Sequence, residues 1–319
     1  LLEPGDEIVT SSHLYGGTTT QFVHTFRKLG LKAHFVDPTN MEEWAAAITP
    51  KTRLLYGETI GNPRGSILDI QALADLAHAH NIPLVVDSTF ATPYLCRPMD
   101  WGADVVVHSA TKFIGGHGSS IAGVLLDSGK FDYSRFPTIA DPDPAYHDLR
   151  FYETFGHYGF LMKARAVTLR DTGAALSPFN AFLLIQGLET LSVRMDRHVQ
   201  NAQAVAEFLH AHPKVAWVAY AGLPDNPHHA LAQKYLPKGP GAIFTFGIKA
   251  SNPRLAGKEF IESLHLFSHL ANVGDARSLV IHPASTTHQQ LSESELEQAG
   301  IDGGMIRLSI GLETTEDLL

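Results

Sequence analysis

From the first residues onward, the hydrophobic pattern alternates between two kinds of segment. Short apolar, β-branched runs occupy 7–10, 33–36, 53–56, 83–86 and 104–107. Between them apolar positions recur at helical spacing over 18–29, 41–48 and 70–80. Runs that stay apolar without alternation read as strands buried on both faces. Strand and helix alternating at this spacing predict right-handed βαβ units on a parallel sheet.

The pattern loosens after position 127. The stretch 128–146 carries Pro137, Pro142 and Pro144 among several Asp residues and reads as an irregular excursion. Residues 151–170 are aromatic and helical in period, and Ser177-Pro178-Phe179-Asn180 marks a break. A long helix is expected over 190–210, with Val193, Val199, Ala202, Val205 and Leu209 as its apolar positions. It reads as the bridge between a first domain, 1–205, and a second, 206–319. Further strands are expected at 215–220, 242–248 and 305–310, and helices at 254–264 and 293–297. In 305–310, Ile306, Leu308 and Ile310 share one face while Arg307 and Ser309 share the other. An arginine on the polar face of such a strand either pairs structurally or awaits an anion.

Composition narrows the classes. At 319 residues the chain can bury a large core. Its 24 basic against 33 acidic residues argue against a nucleic-acid surface, and no apolar run reaches membrane-spanning length. The single cysteine, Cys96, cannot form an internal disulfide, which points to a reducing cytoplasm. Eighteen histidines invite a metal reading, but none sits in a ligand motif. His265 and His269 could share a helix face, yet two histidines without a third ligand make no site. The chain opens Leu1-Leu2-Glu3 with no signal pattern and reads as starting partway through a protein.

Parallel sheets bind ligands at the carboxyl ends of their strands. There the sequence places Tyr15 after the first run, Glu58 to Pro63 after the third, Asp87-Ser88-Thr89 after the fourth and Ser109-Ala110-Thr111-Lys112 after the fifth. Each has an innocent explanation as a cap, a turn or packing. Jointly, an aromatic, an amide, a carboxylate, two hydroxyls and an amine on one edge predict a site. No dinucleotide, P-loop or nucleophile-elbow motif is present. Gly115, Gly116 and Gly118 read as allowing a tight turn beside it.

These residues resemble the pyridoxal-phosphate-dependent enzymes of Cys/Met metabolism. The matching motifs are Leu14-Tyr15-Gly16-Gly17-Thr18, Asn62-Pro63, Val86-Asp87, Ser109-Ala110-Thr111-Lys112 and His282-Pro283-Ala284-Ser285-Thr286-Thr287-His288. The segments 146–156 and 176–191 resemble the O-acetylhomoserine sulfhydrylase branch. The resemblance implies an α/β, aspartate-aminotransferase-like fold: a large cofactor domain with a mostly parallel sheet, then a smaller C-terminal α/β domain. It implies that Lys112 binds the cofactor aldehyde and moves protons, and that Asp87 pairs with the ring nitrogen. It implies that Tyr15 stacks on the ring and acts as an acid, that Asn62 bonds the ring oxygen or substrate carboxylate, and that Ser109 and Thr111 hold the phosphate. Arg307 and Ser278 would bind the substrate carboxylate.

The implied reaction is γ-replacement on O-acetyl-L-homoserine with sulfide or methanethiol, a transferase step of methionine biosynthesis. Cystathionine γ-synthase or methionine γ-lyase activity is the alternative within the family. Gly17 argues against the lyase, whose motif often carries cysteine there. The resemblance also implies a cytoplasmic homotetramer in which an upstream Tyr-Ser-Arg segment reaches a neighbour's cofactor phosphate. This sequence begins downstream of that segment, so it is expected to be part of a longer protein or a truncated form. In a truncated form, cofactor affinity and assembly would suffer. The alternative of another class is accordingly a non-catalytic scaffold or partner-binding fragment.

Overall fold

The computed structural model describes residues 1–286 and 302–319. The helix expected at 293–297, and Thr287 and His288, lie outside the described residues.

The apolar runs become strands β1 (Glu7–Ser11), β2 (Lys32–Val36), β3 (Thr52–Glu58), β4 (Leu84–Asp87) and β5 (Val105–Ser109), all parallel, in the order β2-β1-β3-β4-β5. Val9, Leu55, Leu84 and Val86 are fully enclosed, as expected of strands covered on both faces. The segments between them fold as helices Met41–Ala47 and Ile70–Ala79 and as a helical stretch over 16–28 that includes a π-helical turn. Asn40 and Asp69 cap two of these, accepting from the N–H groups of Glu42, Glu43 and Ala72.

The pattern did not reveal β6 (Gly123–Asp127), which runs antiparallel at the edge of the sheet beside β5. Its Val124, Leu125 and Leu126 stay half-exposed on both sides, so neither burial nor alternation marks it. The expected helix 151–170 is segmented. Gly156, at φ +54°, ends the helix Phe151–Phe155, a 3₁₀ turn spans Gly156–Tyr158, and α-helix resumes at Gly159. The break at Ser177 proves to be a helix start. Its hydroxyl accepts from Asn180 N–H and Pro178 occupies the first turn of Pro178–Glu189. His265 and His269 do not share a helix, because the helix Pro253–Ser263 ends before them and His269 lies in a short strand.

A second sheet, five-stranded among the described residues, follows the 21-residue helix Leu191–Ala211. It comprises β7 (Val215–Ala219), β8 (Ile243–Ile248), β9 (Ser268–His269), β10 (Leu279–Ile281) and β11 (Met305–Ser309), in the order β7-β8-β11-β10-β9. All its pairings are antiparallel except β9 with β10. Ile306 and Leu308 are buried on one face of β11, and Ile310, just past its end, is buried too. One apolar cluster continues from Val9 and Val86 to Val280 and Ile306, so both sheets share a core. Among the described residues, no helix is long and apolar enough to cross a membrane.

Candidate active site

The strand order turns at β1, whose neighbours β2 and β3 lie on opposite sides, and the loops beyond β1, β3, β4 and β5 open onto one side of the sheet. A cavity of about 320 Å³ lies there, lined by Tyr15, Glu58, Asn62, Asp87, Ser109, Thr111, Lys112, Asn272 and Arg307, among others. This is where an open α/β sheet takes its ligand. A groove of about 430 Å³ beside His78 and Asp104 lies at the opposite edge and gathers none of these groups.

Lys112 is partly buried, and its Nζ donates to Asn272 Oδ1 at 2.5 Å. Burial first, and then the positive charge of Arg307, hold its pKa below the usual lysine value. Arg307 extends from the polar face of β11, and burial lowers its pKa to about 10. Its Nη1 donates to Asn62 Oδ1 at 3.4 Å, which ties the second sheet to the loop after β3. That face of β11 is polar because it borders the cavity, not because it meets bulk water.

Asp87 ends β4 beneath these groups. Burial raises its pKa, while hydrogen bonds from Thr89 and the Tyr56 hydroxyl oppose the rise. Thr89 N–H donates to its Oδ1 at 2.8 Å, so the carboxylate closes a local turn but caps no helix. Ser109 N–H donates to Thr89 Oγ1 at 2.8 Å. The Thr111 hydroxyl accepts from Ala122 N–H at 3.0 Å. Tyr15 keeps its ring exposed at the cavity mouth while its N–H donates to Glu58 Oε1 at 2.6 Å.

Seven of the eight residues singled out from sequence therefore meet at one cavity. Ser278 is the correction. It is fully enclosed, donates its hydroxyl to Glu313 Oε2 at 2.8 Å and accepts from Gly311 N–H at 2.8 Å. It does not line the cavity, because the turn after β11 claims it. Two residues were missed. Glu58 was read only as part of a loop, although it lies in register beside Asp87 on the neighbouring strand. Burial and the charge of Asp87 push its pKa well above the ordinary value. Asn272 had no motif of its own, and only the fold carries it to Lys112.

The donor set suits an aromatic aldehyde with a cationic ring and an anionic tail. It offers an amine that can be neutral, a buried carboxylate, hydroxyls and N–H groups, and a buried arginine able to bind an anion. Fold and cavity thus define an α/β enzyme that works through a carbonyl cofactor. The family described as Cys/Met metabolism PLP-dependent enzyme matches residues 1–319, and the chain belongs to it. It is similar to the O-acetyl-L-homoserine sulfhydrylase of Leptospira meyeri, 50% identical over 330 residues that cover 100% of this chain and 74% of that protein. A crystal structure of an O-acetylhomoserine (thiol)-lyase from Campylobacter jejuni, which carries N'-pyridoxyl-lysine-5'-monophosphate, superimposes with a TM-score of 0.95 at 39% identity. That match covers 100% of this chain and 76% of the other. Cystathionine gamma-lyase from Lactobacillus plantarum, complexed with L-serine, aligns at 0.83 and 33% identity over 99% of this chain and 74% of that one.

Proposed function

We propose that the chain catalyses γ-replacement on O-acetyl-L-homoserine, exchanging acetate for sulfide or methanethiol to give homocysteine or methionine. The observation that carries this reading is the convergence of Lys112, Asp87 and Arg307 on one cavity. The 50% identity to an O-acetyl-L-homoserine sulfhydrylase supports the substrate.

Bound pyridoxal phosphate supplies a cationic ring that accepts electron density from the substrate carbons. This chain's residues supply the rest. Lys112, its pKa lowered by burial, presents a neutral amine to the cofactor aldehyde and afterwards carries protons on Nζ. Asp87, in the cavity lining, would pair with the ring nitrogen and keep it protonated. Ser109 and Thr111 hold the phosphate. Arg307 clamps the α-carboxylate, with Asn62 orienting the guanidinium. The Tyr15 phenol, at the mouth, would stack on the ring and give a proton to departing acetate.

The finer reading includes assembly and place. Phe179, Phe182, Ile185 and Leu188 are exposed on Pro178–Glu189, and Ile121, 87% exposed, lies in the cavity lining. A second copy of the chain is the natural cover, so the enzyme acts as a homo-oligomer, a tetramer by family likeness. Its lone cysteine suits the reducing cytoplasm.

Two measurements test the reading. Purified protein given O-acetylhomoserine and sulfide should release homocysteine and acetate. Keto acid and ammonia from methionine alone would instead make it a lyase. Borohydride reduction of the pyridoxal phosphate complex followed by peptide mapping should tag Lys112, and Lys112→Ala should lose at least about 10³-fold in turnover.

A further inference from the structure

Two buried side chains on the helix Leu191–Ala211 take no part in the site described so far. Arg194 is 7% exposed, and its partners among the described residues are carbonyls and a hydroxyl. Its Nη1 donates to Phe113 O at 2.7 Å, and its Nη2 to Ile114 O at 3.1 Å and Gly187 O at 2.6 Å. Its Nε donates to Thr190 Oγ1 at 3.1 Å. Phe113 and Ile114 directly follow Lys112. A planar fork of five donors can serve carbonyls that diverge in this way, whereas an ammonium on a flexible stem cannot span them. Gly116, read from sequence as part of a tight turn, and Gly187 leave room for this contact. A Cβ on Gly116, which sits at φ +74°, would lie 2.4 Å from Arg194 Nη1, and one on Gly187 would lie 2.5 Å from Ile114 O.

His198 repeats the arrangement one turn later. Its ring meets Phe113 edge-on, with centroids 5.0 Å apart, and its Nδ1–H donates to Ile310 O at 2.7 Å. Asn201 continues the row, donating to Gly311 O at 3.0 Å. Ile310 and Gly311 directly follow the strand that carries Arg307. One helix face therefore grips the chain just beyond Lys112 and just beyond Arg307.

We propose that Arg194 and His198 are positioning residues that hold Lys112 and Arg307 in fixed relation, one gripping the lysine loop and the other the arginine strand. The inference rests on the roles given to Lys112 and Arg307 above. An α-amino acid carries its amine and its carboxylate on the same carbon, so the groups that receive them, Lys112's cofactor and Arg307, must be seated together. Small misplacements of such a pair cost up to about 10²-fold in rate.

The test compares Arg194→Lys, Thr190→Val, His198→Phe and His198→Asn with Lys112→Ala, using thermal melting to verify folding. Arg194→Lys should lower kcat about 10–100-fold. In cofactor-stripped protein it should also shift the pH midpoint at which acetic anhydride labels Lys112, read by mass spectrometry. Thr190→Val, which removes the acceptor of Arg194 Nε and the hydroxyl's own donation to Gly187 O at 3.3 Å but leaves the Nη1 and Nη2 bonds of Arg194 in place, should move both readouts the same way by a few-fold and stands in if Arg194→Lys fails to fold. His198→Phe should raise KM for the amino acid about tenfold with kcat little changed, and His198→Asn, which restores a donor to Ile310 O, should recover it. The proposal is overturned if the Lys112 labelling profile is unchanged in the Arg194 and Thr190 variants. It is equally overturned if His198→Asn is no better than His198→Phe. Turnover surviving in Lys112→Ala would overturn the proposed function itself, which separates the two failures.

Discussion

Position 58 shows what a single side chain contributes. Glu58 accepts the Tyr15 N–H while lying in register beside Asp87, so two carboxyl groups meet at neighbouring strand ends. Burial and the Asp87 charge raise the Glu58 pKa, and the folded protein therefore holds a proton that the unfolded chain would release. Stability from this group is present below its ordinary value of 4.5 and declines as the pH rises toward the folded value. Glu58→Gln keeps an acceptor for Tyr15 but cannot ionise. Its thermal midpoint should gain on the wild type as the pH rises above 4.5, and a difference that shrinks with rising pH would refute the account. At position 274 the backbone itself is the constraint. Gly274 has φ +74°, and a Cβ there would sit 2.7 Å from Phe113 N. Gly274→Ala should cost about 1–3 kcal/mol in urea unfolding and displace the lysine loop.

Among the elements, the helix Leu191–Ala211 is the one whose length and period were plain from sequence and whose meaning was not. Its Val193, an expected apolar position, is 72% exposed, whereas Arg194 and His198 are buried. Burial lowers the His198 pKa to about 4, against an ordinary 6.5. The unfolded chain therefore binds a proton between these values that the folded chain refuses. The corresponding stability is complete above pH 6.5 and is lost as the pH falls to 4, a difference of roughly 3 kcal/mol. His198→Asn should flatten urea-unfolding stability between pH 6.5 and 4.5 relative to the wild type, and an unchanged slope would contradict this. The edge strand β6 and the segmented helix after Phe151 were misread for a different reason. Their outlines depend on a neighbouring strand and on one left-handed glycine, and hydropathy registers neither.

For the whole molecule, the shared core fixes the second sheet against the first, and Arg307 reaches the cavity only because of that docking. Phe179, Phe182, Ile185 and Leu188 are exposed on a helix whose Leu184 packs against Ala110 and Ile114. Phe182→Glu combined with Ile185→Glu should reduce the assembly measured by sedimentation velocity while leaving the circular dichroism of the subunit intact. Unchanged mass would show that these residues are not the interface.

The amino-acid order determined on its own the strand–helix rhythm, the parallel sheet and the edge where chemistry collects. These are local matters: periodicity is set by side chains a few residues apart, and a residue just past a strand end stays near that edge wherever the strand pairs. Motif likeness gave roles to the lysine, the acid and the arginine. Tertiary structure alone decided that Glu58 and Asn272 join the site, that Ser278 is taken up by Glu313, and that a buried guanidinium secures the lysine loop. Each of these depends on partners 35 to 160 residues away in the chain, or on burial that removes water from a charge, and neither is encoded within any window of sequence.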